Sequence, residues 1–322
     1  MTDTQHIKDD ATEGNLWRDR SAQTLVLACV FIAILGTLRR NDTSGMEPEA
    51  FWAMKSEWNN EADVILLGDS RTLVGVSPDA MEPSFPDQRI LNYAFHAVGY
   101  TESYFQEVDS LLKESSTHPA IVLGISPLTL TKSSARDNGF LNYIVDGNTA
   151  KLGSRFATMR QFFAPITTRE LINTLGSEGK AFHEYRRYHQ SGWLEAYDAP
   201  EDPGESMATY SVMFRPEKRG PSHEDVVDLV INATNEWTNR GIRVYAFRPP
   251  TCEAMIALEE EQSQWDLPGF VEGFEAAGGI WLTFDEDRYH SYDNSHLDRE
   301  PATRFSEDLA TLIAKKQQRT VE

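Results

Sequence analysis

Five short apolar runs limit what this chain can fold into: Val64–Leu67, Ile90–Tyr93, Ala120–Ile125, Ile242–Phe247 and Ile280–Phe284. Each is nearly continuous rather than alternating, so each strand must be covered on both faces. A parallel sheet layered between helices meets that demand. The first three runs are separated by segments of helix-compatible length, including Tyr104–Lys113. His223–Arg240 is amphipathic, with Val226, Val227, Val230, Ile231 and Trp237 on one side, and Gly241 follows where a helix C-terminus needs a left-handed residue. Strands alternating with helices predict an α/β fold, a doubly wound and mainly five-stranded parallel sheet.

At 322 residues the chain suits one α/β domain with an insertion as well as it suits two domains. The formal net charge of -20 disfavours a nucleic-acid partner, whose phosphates would be repelled. The two cysteines, Cys29 and Cys252, lie far apart and form no C-x-x-C pattern, so they leave the compartment open. Ser21–Leu38 is apolar and uncharged, between Arg18 and Arg20 on one side and Arg39 and Arg40 on the other. Its length and flanks predict a transmembrane anchor over 21–38 rather than a core helix, because the residues before it are polar. Basic residues nearly balance across the segment, so charge does not set its orientation. The expected layout is a polar tail (1–20), the anchor (21–38), a linker (39–60), one main domain (61–316) and a short tail (317–322).

Between about 132 and 221 the strand–helix rhythm breaks. Phe162, Phe163, Tyr185, Arg186, Arg187 and Tyr188 fall here, with the Gly/Pro-rich Ala199–Gly204. The expectation is a helical insertion over the top of the sheet. Whether it shapes a substrate cleft or merely caps the domain stays open.

The first strand runs into Gly68-Asp69-Ser70-Arg71-Thr72. In an open α/β sheet the ligand site lies beyond the carboxyl ends of the strands, so Ser70 stands at the active edge. A helix starting there would offer free backbone N–H groups to an oxyanion. Asp69 and Arg71 flank it and are candidates for substrate contacts. Arg248, after the fourth strand, faces the same edge and could pair with an anionic group. Asp293-Asn294-Ser295-His296-Leu297 follows the last strand and precedes the helix-like Pro301–Lys315. An aspartate three residues before a histidine can take the Nδ1 hydrogen and leave Nε2 to deprotonate Ser70. A second copy, Asp287-Arg288-Tyr289-His290, competes. His296 is the expected base, because it lies just before the terminal helix, on the loop that returns across the active edge. His183 and His189 lack zincin spacing, no metal site is predicted, and no Walker or Rossmann glycine loop calls for a nucleotide cofactor.

Val64–Thr72 and Asp293–Leu297 together resemble the first and last blocks of the SGNH (GDSL-like) hydrolase superfamily, and Ser306–Leu312 its closing helix. The likeness is greatest to the membrane-anchored branch of alginate O-acetylation and teichoic-acid D-alanylation (DltD-type) proteins. It extends over roughly residues 61–316 in layout, with close matches only at the two ends. It implies a flavodoxin-like order of strands and a Ser70–His296–Asp293 triad without cofactor. It also implies an oxyanion hole from Ser70, Gly99 after the second strand, and Asn92 as a side-chain donor. Where the family usually carries Gly-x-Asn-Asp, this chain has Gly124-Ile125-Ser126-Pro127, so Ser126 takes the place of the asparagine as donor. The implied chemistry is ester hydrolysis or O-acyl transfer on a cell-envelope or extracellular glycan, with the body outside the cytoplasm. The partners implied are an acylated glycan or other ester, the membrane, and a membrane-bound acyl-donor protein. A catalytically inactive scaffold of the same fold, binding glycan or a membrane partner, is the alternative.

Overall fold

The structure, a computed structural model, describes residues 21–31, 46, 48–132, 139–145 and 185–319. By its internal contacts the chain divides into two units, residues 1–45 with 155–179 and residues 46–154 with 180–322. In the first, residues 21–31 are helical and exposed. No helix among the described residues is long and apolar enough to cross a membrane. The second half of the expected anchor, 32–38, lies outside the described residues, as do Phe162 and Phe163.

The second unit holds the described strands: β1 (Val64–Leu67), β2 (Ile90–Asn92), β3 (Ala120–Gly124), β4 (Arg186–Tyr188), β5 (Leu194–Ala196), β6 (Arg243–Phe247) and β7 (Ile280–Leu282). Its helices are α1 (Pro48–Glu57), α2 (Ser70–Gly75), α3 (Pro78–Met81), α4 (Glu102–Leu111), α5 (Pro203–Met213), α6 (Glu224–Asn239), α7 (Glu253–Gln262), α8 (Leu267–Ala276) and α9 (Arg299–Arg319). Five strands form one sheet in the order β2-β1-β3-β6-β7. Every pairing in it is parallel, with Val64 opposite both Ile90 and Ala120, Ala120 opposite Arg243, and Tyr245 opposite Ile280.

The uninterrupted apolar runs are explained by what covers each face. Ile65, Leu67, Ile121, Leu123, Val244 and Ala246 point to one side, against Tyr104, Phe105 and Val108 of α4, Val230 and Trp237 of α6, and Phe270 and Phe274 of α8. Val64, Leu66, Val122, Tyr245 and Phe247 point to the other, against Ala302, Phe305, Leu309 and Ile313 of α9. Each fully buried Leu, Ile or Phe is worth roughly 1.5–3 kcal/mol of transfer free energy. Alternating either side with polar residues would expose one helix layer.

In place of an all-helical insertion, the described part of 132–221 contains an antiparallel pair, β4 with β5, as well as α5. The hairpin turn docks on the edge strand: Asn92 N–H donates to Ser191 O at 2.8 Å. Gly192 sits at φ +86, and a Cβ there would lie 2.2 Å from Asn92 O. Only glycine brings the turn this close. Trp193 completes the dock, its Nε1 donating to Val74 O at 2.7 Å.

Candidate active site

Ser70 is the first residue of α2, directly beyond the carboxyl end of β1. Asp69 caps the helix, its Oδ1 accepting the Arg71 N–H at 3.0 Å. Gly68 makes the sharp exit from β1 with φ +152, and a Cβ there would collide with Thr72 Oγ1 at 2.2 Å. Strand, glycine, cap and helix thus lift the Ser70 hydroxyl to the edge, where the residue is half-buried.

The segment after β7 supplies a tight turn. Ser291 pairs with Leu297, and Tyr292 N–H donates to His296 O at 3.1 Å. Asn294 takes φ +66 at its tip, a conformation asparagine accepts more readily than most residues. Asp293 Oδ1 accepts two backbone N–H groups, from Ser295 at 2.9 Å and His296 at 2.6 Å. Its Oδ2 meets His296 Nδ1 at 2.8 Å, and His296 Nε2 meets Ser70 Oγ at 2.8 Å. A carboxylate can only accept, so Nδ1 carries the hydrogen and Nε2 presents its lone pair to the Ser70 hydroxyl. Burial pushes the Asp293 carboxyl up, but the His296 hydrogen bond and charge, with the two backbone N–H groups, outweigh it and hold the pKa at about 2. The competing histidine lies apart: His290 is 74% exposed and faces Glu201 at 3.4 Å.

The expected side-chain oxyanion donors are spent elsewhere. Asn92 is fully buried; its Nδ2 donates to Thr72 O at 3.0 Å and Val76 O at 2.8 Å, while its Oδ1 accepts from Ala94 N–H. Both donor hydrogens are used to hold α2 against β2, leaving none for an oxyanion. The Ser126 hydroxyl donates to Asp69 Oδ2 at 2.5 Å and is likewise turned inward. Gly99 is buried between Val98 and Tyr100. Ala97 instead occupies the exposed turn after β2, at φ +53. The carbonyl of the peptide carrying its N–H is pinned by Gly139 N–H at 2.9 Å, and its own carbonyl by Arg219 at 3.0 Å. A peptide held by its carbonyl presents its N–H on the opposite side. Ala97 therefore joins Gly99 as a backbone donor candidate beside the Ser70 N–H.

Neither arginine waits for an anion. Arg71 is buried, its Nη2 2.7 Å from Glu259 Oε1, and Arg248 Nη2 lies 2.8 Å from Glu259 Oε2. Glu259 is fully buried and serves both cations, so the expected substrate contacts of Asp69, Arg71 and Arg248 are replaced by internal ones. His96, just before Ala97, is half-buried against Trp52, with ring centroids 5.6 Å apart. Burial, with Arg186, His296 and Lys55 nearby, lowers its pKa to about 3, so it stands as a neutral imidazole. Lys55 braces the same loop from α1, donating to Ala94 O at 2.8 Å from a fully buried position.

Sequence reasoning missed Ala97, His96 and Glu259, and also Ser206, whose hydroxyl donates to Asp293 Oδ2 at 3.0 Å. The only forewarning was position, since His96 and Ala97 directly follow the second apolar run. Among the described residues, no cluster of histidine, cysteine and carboxylate side chains could hold a metal ion. No family model, curated protein or solved structure matches the chain.

Proposed function

We propose that this protein is a serine-dependent acyl-transfer enzyme of the SGNH type, an ester hydrolase or O-acyltransferase. The observation that carries the reading is the unbroken relay Ser70–His296–Asp293, two contacts of 2.8 Å each. His296 Nε2 takes the Ser70 proton as Oγ attacks an ester carbonyl, and the Ser70 and Ala97 N–H groups receive the tetrahedral oxyanion. Collapse expels the alcohol, protonated by His296, and leaves an acyl-serine. Water or a sugar hydroxyl, deprotonated by the same histidine, then takes the acyl group and restores Ser70. The sheet order β2-β1-β3-β6-β7, which is 2-1-3-4-5 when only its own strands are counted, supports the SGNH assignment, as does a serine at the end of the first strand.

The substrate class follows from the resemblance and from the apolar 21–38 segment. It is an acylated glycan of the cell envelope or outside it, met by a body anchored through that segment outside the cytoplasm, with a membrane-bound protein as acyl donor. One observation favours the scaffold reading instead: both side-chain oxyanion donors, Asn92 and Ser126, are committed to the interior. A backbone-only hole still provides two N–H groups, which suffices for acyl transfer.

Labelling with a fluorophosphonate probe separates the two. The expected result is one adduct on the peptide containing Ser70, absent in Ser70→Ala, with loss of acetyl-ester hydrolysis in the same variant and an unchanged melting curve. Wild-type protein that takes no label and cleaves no ester favours the scaffold.

A further inference from the structure

The Asp293–His296 turn is held from outside by one face of α5, a helix of the segment that interrupts the sheet. Ser206 and Tyr210 are four residues apart on that helix and so share a face. The Ser206 hydroxyl donates to Asp293 Oδ2 at 3.0 Å, on the same oxygen that receives the His296 ring. The Tyr210 hydroxyl accepts from Ser295 Oγ at 2.9 Å, and Ser295 in turn accepts from Arg71 Nε at 3.0 Å. The Arg71 guanidinium also lies 4.7 Å from the centre of the Tyr210 ring. Just ahead of the helix, Asp202 N–H donates to Tyr292 O at 3.0 Å. One helix face therefore grips residues 293 and 295 of the turn and contacts Arg71, the residue that follows Ser70, while the residue just ahead of the helix holds 292.

We propose that α5 is part of the catalytic apparatus, with Ser206 a positioning residue that fixes the Asp293 carboxylate and Tyr210 one that ties the turn to α2. This rests on the acyl-transfer reading for its kinetic consequences but not for its structural one. Asp293 Oδ1 is oriented by its own turn, through two backbone N–H groups. Oδ2, the oxygen that meets the imidazole, has Ser206 as its other hydrogen-bond donor among the described residues. Without that hydroxyl Oδ2 keeps only the imidazole as a donor among the described residues, so the carboxylate can tilt within the slack of its Oδ1 bonds and the ring is held less firmly toward Ser70. Neither residue touches the reacting atoms, which predicts a fall in kcat with little change in KM.

The test is Ser206→Ala, Ser206→Thr and Tyr210→Phe in the full chain, read by ester kinetics and by the proton resonance of His296 Nδ1–H. A partly buried Asp–His bond should slow exchange of that proton and shift it downfield. Ser206→Ala should lower kcat about tenfold at unchanged KM and broaden or remove the resonance, while Ser206→Thr restores both. Tyr210→Phe keeps the ring over Arg71 and should lower kcat several-fold. An unchanged resonance in Ser206→Ala, or a kcat loss that threonine does not recover, overturns the proposal. If the wild type cleaves no ester, the acyl-transfer reading falls, and the resonance in wild type against Ser206→Ala still decides whether Ser206 orients the pair.

Discussion

Single residues divide into those that face the proposed reaction and those that only look as though they do. Asn92 is the plainest case, because its residue type and place at the end of the second strand suit an oxyanion donor, yet its amide holds the carbonyl of Thr72 in α2 and that of Val76 just past it. Asn92→Ala should therefore act as a stability mutation, costing about 2–4 kcal/mol for the buried groups left unpaired. Chemical denaturation would show it, and a lowered kcat with unchanged stability would return Asn92 to the oxyanion hole. The two D-x-x-H copies separate in the same way. His296→Ala should lose roughly 10^3-fold or more in kcat, and adding Ser70→Ala should cost little further, since the groups act as a unit. His290→Ala should stay near wild type, and the reverse pattern in steady-state kinetics would move the base. The meeting of Ser70, Asp293 and His296 was legible because Ser70 directly follows the first apolar run and the Asp293–His296 pair lies just before the terminal helix. The oxyanion side chains were not, because a buried polar group's partner is chosen by tertiary packing and leaves no local trace. The surroundings of Arg71 and Arg248 were illegible for that reason too, since the carboxylate that pairs with both comes from α7.

Among the elements, the β4–β5 hairpin was the hardest to foresee. Its strands have three residues each, too few for a period of two to register. What holds the hairpin is a charged latch as much as packing. His189 meets Glu195 at 2.7 Å and Asp79 of α3 at 3.5 Å, and Arg299 of α9 lies 2.9 Å from the other Glu195 oxygen. Burial works against charge on His189, but its hydrogen bonds to Asp79 and Glu195 prevail and raise its pKa to about 9. A raised histidine stabilises the folded state fully below its unfolded value near 6.5, and that contribution disappears as pH climbs through about 9. Thermal melts of the wild type should therefore lose stability between about pH 6.5 and 9, and His189→Gln should start lower and stay flat across the same window. Parallel curves for the two proteins would rule the latch out. The sheet itself was readable to within a residue or two, because strands covered on both faces must be apolar throughout.

For the molecule as a whole, the buried Arg71–Glu259–Arg248 group joins the base of α2, the exit of β6 and α7 beneath one site. Glu259→Gln would leave two cations under-compensated in the interior, at a cost of about 3–5 kcal/mol. Urea unfolding would measure it, and a loss below about 1 kcal/mol would mean that water or another carboxylate relieves the pair. The relay above this group has a different kind of reach. Ser70 and His296 are 226 positions apart, at opposite ends of the sheet's strand sequence. A growing chain makes Ser70 early and His296 only after the last strand has been made. On the proposed acyl-transfer reading Ser70 is an ordinary alcohol until then, and a nascent or truncated chain cannot transfer acyl groups. On that reading the order of synthesis acts as a built-in delay: reactivity arrives only when the whole domain has closed.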